Sequence, residues 1–250
     1  MKNILSLIGI LALLAAGCSK DQNVATPDNG IHNATGTGGS LARFTTTRNH
    51  LYVVDDQKLY TYSLANPQEP KLANTLPIGF DVETLYPYND KLFIGSQIAM
   101  YVFSIQSPES PQLLGTASHI RACDPVVADD YVAYVTVRSG TTCGGTINAL
   151  LVYDISGSLL NPTLGKQINL TNPWGLGMKG NRLYVCDGSS GLFIFDISER
   201  NNPVFIKKIS GETFYDVIVT DDVLVCMVNG GTALYEWGSD DNLVKVATIK

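Results

Sequence analysis

Six side chains able to bind or to cleave stand at one recurring place in this sequence: Arg43, Glu83, Asp124, Trp174, Tyr215 and Asp216. Glycosidic hydrolysis needs two carboxylates, one on each side of the bond, and Glu83, Asp124 and Asp216 could supply such a pair. Arg43 could hold an anion, while Trp174 and Tyr215 offer broad apolar surface with a polar tip. His119, Arg121 and Asp81 lie nearby on incoming loops. Mixed charge with two aromatics in a concavity is the ordinary make-up of a small-ligand or peptide site. The same groups would equally hydrate a narrow tunnel and pair with one another.

What brings these residues to one place is a repeat. Short apolar runs begin at Leu51, Leu92, Val132, Leu183 and Leu224, at spacings of 41, 40, 51 and 41. Pro70, Pro111, Pro162 and Pro203 close the first four copies at steps of 41, 51 and 41, so two markers drift together. A period near 40 built from short apolar runs is the signature of β-propeller blades. The fourth copy shows the plan: strands over 174–179, 182–186, 192–197 and 204–209, separated by turn residues such as Gly180, Asn181, Gly188 and Pro203. The third strand is nearly continuously apolar, as expected where neighbouring sheets cover both faces. Asp154 and Asp196, at third-strand exits, read as acceptors for turn amides. The expected fold is all-β: one propeller of five four-stranded blades over 40–250, with a first strand from Leu41 and a last one over 244–250. No strand is left over for exchange, so the ring should close by packing alone.

In a propeller the start of the innermost strand and the turn between strands two and three lie at one face. The column eight places before each alignment point holds Arg43, Thr84, Asp124, Gly175 and Asp216. The column one place earlier holds Ala42, Glu83, Cys123, Trp174 and Tyr215. Both should ring the mouth of the central channel. Cys123 opens an inner strand, and Cys143 sits in the lengthened two–three turn of the same repeat. A disulfide between them is therefore feasible and would pin the insertion RSGTTCGG over 138–145 as a recognition loop. Cys186 and Cys226 fall in second strands of adjacent blades, one residue out of register. Their side chains should point to opposite sheet faces and remain thiols.

Residues 183–204, LYVCDGSSGLFIFDISERNNPV, resemble the LVIVD repeat of bacterial surface proteins. Looser copies are LVYDIS at 151–156, LYTYSL at 59–64 and LYEW at 234–237. The section between Cys123 and Gly145 is similar to a cysteine-bearing blade in lipoprotein members of that family. The resemblance implies a propeller displayed outside the cell, and implies no reaction.

The N-terminus agrees. A positive start is followed by an apolar run over 4–16, too short to span a bilayer, and then by Ala15, Ala16, Gly17 and Cys18. This resembles a lipoprotein signal over 1–17, with Cys18 the acylated residue and Leu14 one place earlier than usual. Ser19, Lys20 and Asp21 resemble the flag that directs some Gram-negative lipoproteins to the surface. Residues 18–39 are polar and Gly/Thr-rich, a flexible tether reaching about 25 Å. The expected location is the outer membrane of a Gram-negative bacterium, with the membrane engaged by the lipid anchor only.

Without the leader the chain carries 16 basic and 23 acidic residues, a net charge of −7, and has no basic run. Nucleic acid is therefore not an expected partner. The expected partners are a glycan, a peptide or an outer-membrane protein. The domain's two histidines, His50 and His119, fall on opposite faces by this alignment. That excludes a two-histidine metal site and makes any Ser-His-Asp arrangement depend on His119. No metal, cofactor or catalytic residue is assigned. Two functions remain: a binding or scaffold module, or a carboxylate-based hydrolase or lyase acting on extracellular polysaccharide.

Overall fold

The computed structural model describes residue 39 and residues 41–79, 81–118, 125–141, 145–159, 161–238 and 242–250. The lipidation of Cys18, the Cys123–Cys143 bridge, and the placement of His119, Arg121 and Asp124 lie outside the described residues. So do the signal and tether over 1–38.

The first sheet comprises β1 (Phe44–Thr47), β2 (His50–Val54), β3 (Lys58–Ser63) and β4 (Lys71–Pro77). The second comprises β5 (Val82–Tyr88), β6 (Lys91–Ser96), β7 (Ala99–Ser104) and β8 (Gln112–Ser118). The third comprises β9 (Val126–Ala128), β10 (Val132–Val137), β11 (Ala149–Asp154) and β12 (Thr163–Asn169). Then come β13 (Leu176–Lys179), β14 (Arg182–Cys186), β15 (Leu192–Asp196) and β16 (Val204–Ile209). The last sheet is β17 (Phe214–Val219), β18 (Val223–Val228), β19 (Gly231–Trp237) and β20 (Leu243–Ile249). Each sheet pairs four consecutive strands antiparallel, giving a five-bladed propeller in which the last blade is completed from within. The repeat therefore gives the blade count correctly.

The turn chemistry is as the residue types demand. Asp154 accepts from the Ser156 amide at 2.9 Å, and Asp196 from the Ser198 amide at 2.7 Å. Asp55 and Asp129 do the same for the amides that follow them. The Ser156 and Ser198 hydroxyls, which also donate to these carboxylates, and then the amides, hold Asp154 and Asp196 below their usual range. Each outer strand pairs with its neighbour through a bulge, which twists an edge that would otherwise invite a further strand.

Pairing corrects the sequence alignment in the third blade by one residue. Val126 lies opposite Val135, and the Thr136 amide donates to the Pro125 carbonyl. Cys186 has that relation to Gly175, and Val54 to Arg43. The equivalent start is thus Ala133 rather than Val132, and the spacings become 41, 41, 50 and 41. The slip arose because Val132 and Ala133 are both apolar and buried, so hydropathy alone does not separate them. In the corrected register Tyr52, Phe93, Tyr134, Tyr184 and Val225 form one second-strand column.

Four apolar layers fill the seams between blades one and two, two and three, three and four, and four and five. Cys186 and Cys226 share the last of these. Both are buried thiols, as expected, but the expected reason is wrong. Opposite faces of adjoining sheets are the faces that meet, so out-of-register side chains converge. Burial pushes Cys226 up to about 12 and raises Cys186 as well, which keeps both thiols unreactive.

Among the described residues no such layer joins the fifth blade to the first. Phe44 is 62% exposed and Met227 47% exposed. Leu51, Val53, Val225 and Leu234 are only half-buried. Amides of the first and fifth blades should therefore exchange with solvent about tenfold or more faster than those of the third blade. Equal protection in all three blades would contradict this.

Candidate functional site

The inner strands begin irregularly, and that irregularity builds the mouth. Glu83 is the extra residue of a bulge between Val82 and Thr84, which face Ser96 and Gly95. Tyr215 is the extra residue between Phe214 and Asp216. In the fourth blade Trp174 donates its amide to the Cys186 carbonyl at 2.8 Å, while the Cys186 amide donates to Gly175 at 2.9 Å. Two residues again oppose one. A bulge breaks the strict alternation of a strand and re-aims one side chain, and bulges gather at rims for that reason. The sequence column of Glu83, Trp174 and Tyr215 is therefore a column of bulges.

These re-aimed residues meet side chains of the lengthened turn in a cavity of about 320 Å³. Leu41 comes from the first blade, Glu83 from the second, Pro125, Arg138, Gly140 and Thr141 from the third, and Pro173 and Trp174 from the fourth. The expectation that inner-strand starts and two–three turns share one face holds for these residues. Tyr215 stands beside the cavity, with its ring centroid 4.9 Å from that of Trp174 at 79°. Asp216 is not among the residues lining the cavity. Its carboxylate occupies the space that a Cβ on Gly39 or Gly175 would need, and one oxygen accepts from the Val217 amide at 2.9 Å. Arg43 is exposed and pairs with Asp56 at 3.2 Å rather than entering the cavity. His50 opens β2, at the end of the strand remote from the mouth, and its Nε2 lies 3.5 Å from Glu109.

Two residues that the sequence reading did not single out complete the site. The Arg138 guanidinium carbon lies over the Trp174 ring, 3.4 Å from its centroid. Among the described residues it makes no hydrogen bond or ion pair. Burial pulls its pKa down and the nearby Glu83 charge pushes it up. Arg138 lay inside the insertion already noted, but only contact with an indole 36 residues away reveals its role. The second is Asp187, wholly buried, which accepts from the amides of Thr171 (3.1 Å) and Asn172 (2.6 Å). It thereby fixes the loop that delivers Pro173 and Trp174. The Thr136 hydroxyl donates to the Trp174 carbonyl at 2.5 Å and anchors the same point from the third blade.

The electrostatics are mixed. Burial raises the Glu83 pKa most, Asp81 and Asp56 raise it further, and Arg43 and Arg138 oppose them. The Trp174 indole N–H is buried without an acceptor. Among the described residues no cluster of metal-ligating side chains occurs.

The propeller is shared with known structures; the sequence is not. A functionally unknown protein from Desulfotomaculum acetoxidans superposes with a TM-score of 0.66 at 11% identity, over 80% of this chain and 66% of that one. A protein from Lactobacillus plantarum gives 0.60 at 12%, over 82% and 69%. A protein of Bacteroides fragilis named as a candidate 6-phosphogluconolactonase gives 0.60 at 10%, over 83% and 69%. The chain thus spans about two thirds of the length of these proteins. No family model matches the chain, and no curated protein does either.

Proposed function

We propose that this chain is a lipid-anchored, surface-displayed propeller of the LVIVD-repeat kind, acting as a binding or scaffold module through its channel-mouth face. The observation that supports this most is the cavity itself. Four blades contribute to it, bulges aim Glu83 and Trp174 into it, and it holds a guanidinium that makes no hydrogen bond or ion pair among the described residues. The ligand is a glycan, a peptide or a segment of an outer-membrane protein. Export and anchoring follow from the apolar leader and the small residues before Cys18.

The test is the variant Trp174→Ala with Tyr215→Ala. Material that co-purifies with the wild-type protein from detergent-solubilised outer membrane should be absent with the variant, while unfolding stays cooperative and Tm falls by less than about 5 °C. Retained capture by the double variant would move the binding face elsewhere. Anchoring has its own test: Cys18→Ser should accumulate as unprocessed precursor, and normal maturation of that variant would refute the lipidation reading.

A second reading, a hydrolase or lyase acting on extracellular polysaccharide, draws on Glu83. Its half-buried carboxyl is raised by burial in the way a general acid's is. Polysaccharide turnover that disappears in Glu83→Gln would support this reading over the first.

A further inference from the structure

The cavity offers donors that no described residue receives. Arg138 is half-buried, carries five N–H groups, and among the described residues makes no hydrogen bond or ion pair. It packs over the Trp174 ring, whose own N–H is buried and without an acceptor. A buried polar group without a partner is costly, and a buried charge more so. Such a cluster persists where a ligand completes it. The donor set specifies that ligand's chemistry: it brings acceptors, carries negative charge, and presents two coplanar oxygens to a planar fork.

We infer that the ligand of the channel mouth presents a carboxylate to Arg138. This rests on the mouth being the binding face. The cavity volume of about 320 Å³ holds a ligand of roughly one or two sugar rings or amino-acid residues. Stacking on Trp174 removes conformational freedom from the Arg138 side chain before binding, so less is lost when the fork closes on a carboxylate. Glu83 sits close enough to act on Arg138 electrostatically. Its negative charge opposes an anionic ligand, and this favours a monoanion over a dianion.

The test follows the indole N–H signals of the full chain by NMR, with Trp237→Phe assigning the one belonging to Trp174. Acetate, galacturonate and N-acetyl-dialanine, each a monoanion, are titrated against the methyl ester of galacturonate and inorganic sulfate. Acetate should shift the Trp174 signal. One of the two larger acids should bind more tightly, which tells a sugar acid from a peptide C-terminus. The ester should fail, and sulfate should be weaker. Arg138→Gln should weaken binding about tenfold or more, and Arg138→Lys should recover only part of it. Glu83→Gln should strengthen binding about three- to tenfold by removing the like charge.

Equal binding of ester and acid, indifference to Arg138→Gln in a folded variant, or sulfate binding as tightly as the acids would overturn the carboxylate assignment and leave the mouth as binding face intact. If none of these probes shifts Trp174, the carboxylate assignment falls. Only a partner still captured by the Trp174/Tyr215 double variant removes the mouth reading itself.

Discussion

Tyr134→Ala should cost about 4 kcal/mol of stability and lower Tm by about 8–16 °C for a domain of this size. Tyr134 is fully buried in the layer between the third and fourth blades. Its hydroxyl donates to the Arg200 carbonyl in the turn between β15 and β16 at 2.7 Å. Truncation leaves a ring-sized void in a close-packed layer and a carbonyl without its donor. Arg200 is also held by Asp129 of the third blade at 2.8 Å, so the turn would not simply relax into the void. Tyr134→Phe separates the two contributions and should cost about 1 kcal/mol, the hydrogen bond alone. Tyr52 repeats the arrangement two seams earlier, donating to Pro108 at 2.9 Å. Chemical denaturation of the three proteins decides the matter, and a Tyr134→Ala loss below about 2 kcal/mol would mean that the blades close up around the void.

Asp187→Ala should cost about 3 kcal/mol and, unlike the tyrosine variants, should also disturb the mouth. Asp187 is wholly buried, and its two carboxylate oxygens receive the amides of Thr171 and Asn172. Alanine strands both amides, and the loop that sets Trp174 loses its fixed point. The Arg138–Trp174 stack should then loosen. The measurement is Tm together with the near-ultraviolet circular dichroism of the tryptophans: both should change. A stability loss with an unaltered tryptophan signal would confine Asp187 to holding the backbone.

The two variants separate the interactions that hold blades together from those that shape the opening. Tyr134 acts between blades and does not line the cavity. Asp187 acts within one loop, one step removed from the cavity. Neither residue stands in the two columns that the repeat places at the mouth, and each is identified by the hydrogen bonds it makes across the fold.

Blade number, strand order and turn positions are determined by the sequence alone, because each rests on local chemistry. Alternating or continuous apolar runs specify strands, and residues such as Asp154 and Asp196 specify turns through amides two positions away. The fourth repeat shows how far this reaches: strands expected over 182–186 and 204–209 match Arg182–Cys186 and Val204–Ile209. The mouth column of Glu83, Trp174 and Tyr215 was legible too, since a regular repeat places equivalent residues at equivalent heights. Tertiary structure alone decided what depends on pairing or on contacts between distant segments. Register in the third blade needed hydrogen bonds to separate Val132 from Ala133. The meeting of Cys186 and Cys226 needed the packing of one sheet on the next. Asp216 was set against the backbones of Gly39 and Gly175, and Arg138 was brought onto Trp174 by the closing of one blade on another. Periodicity records which way a side chain leaves its own strand, and carries no information about what stands across the gap.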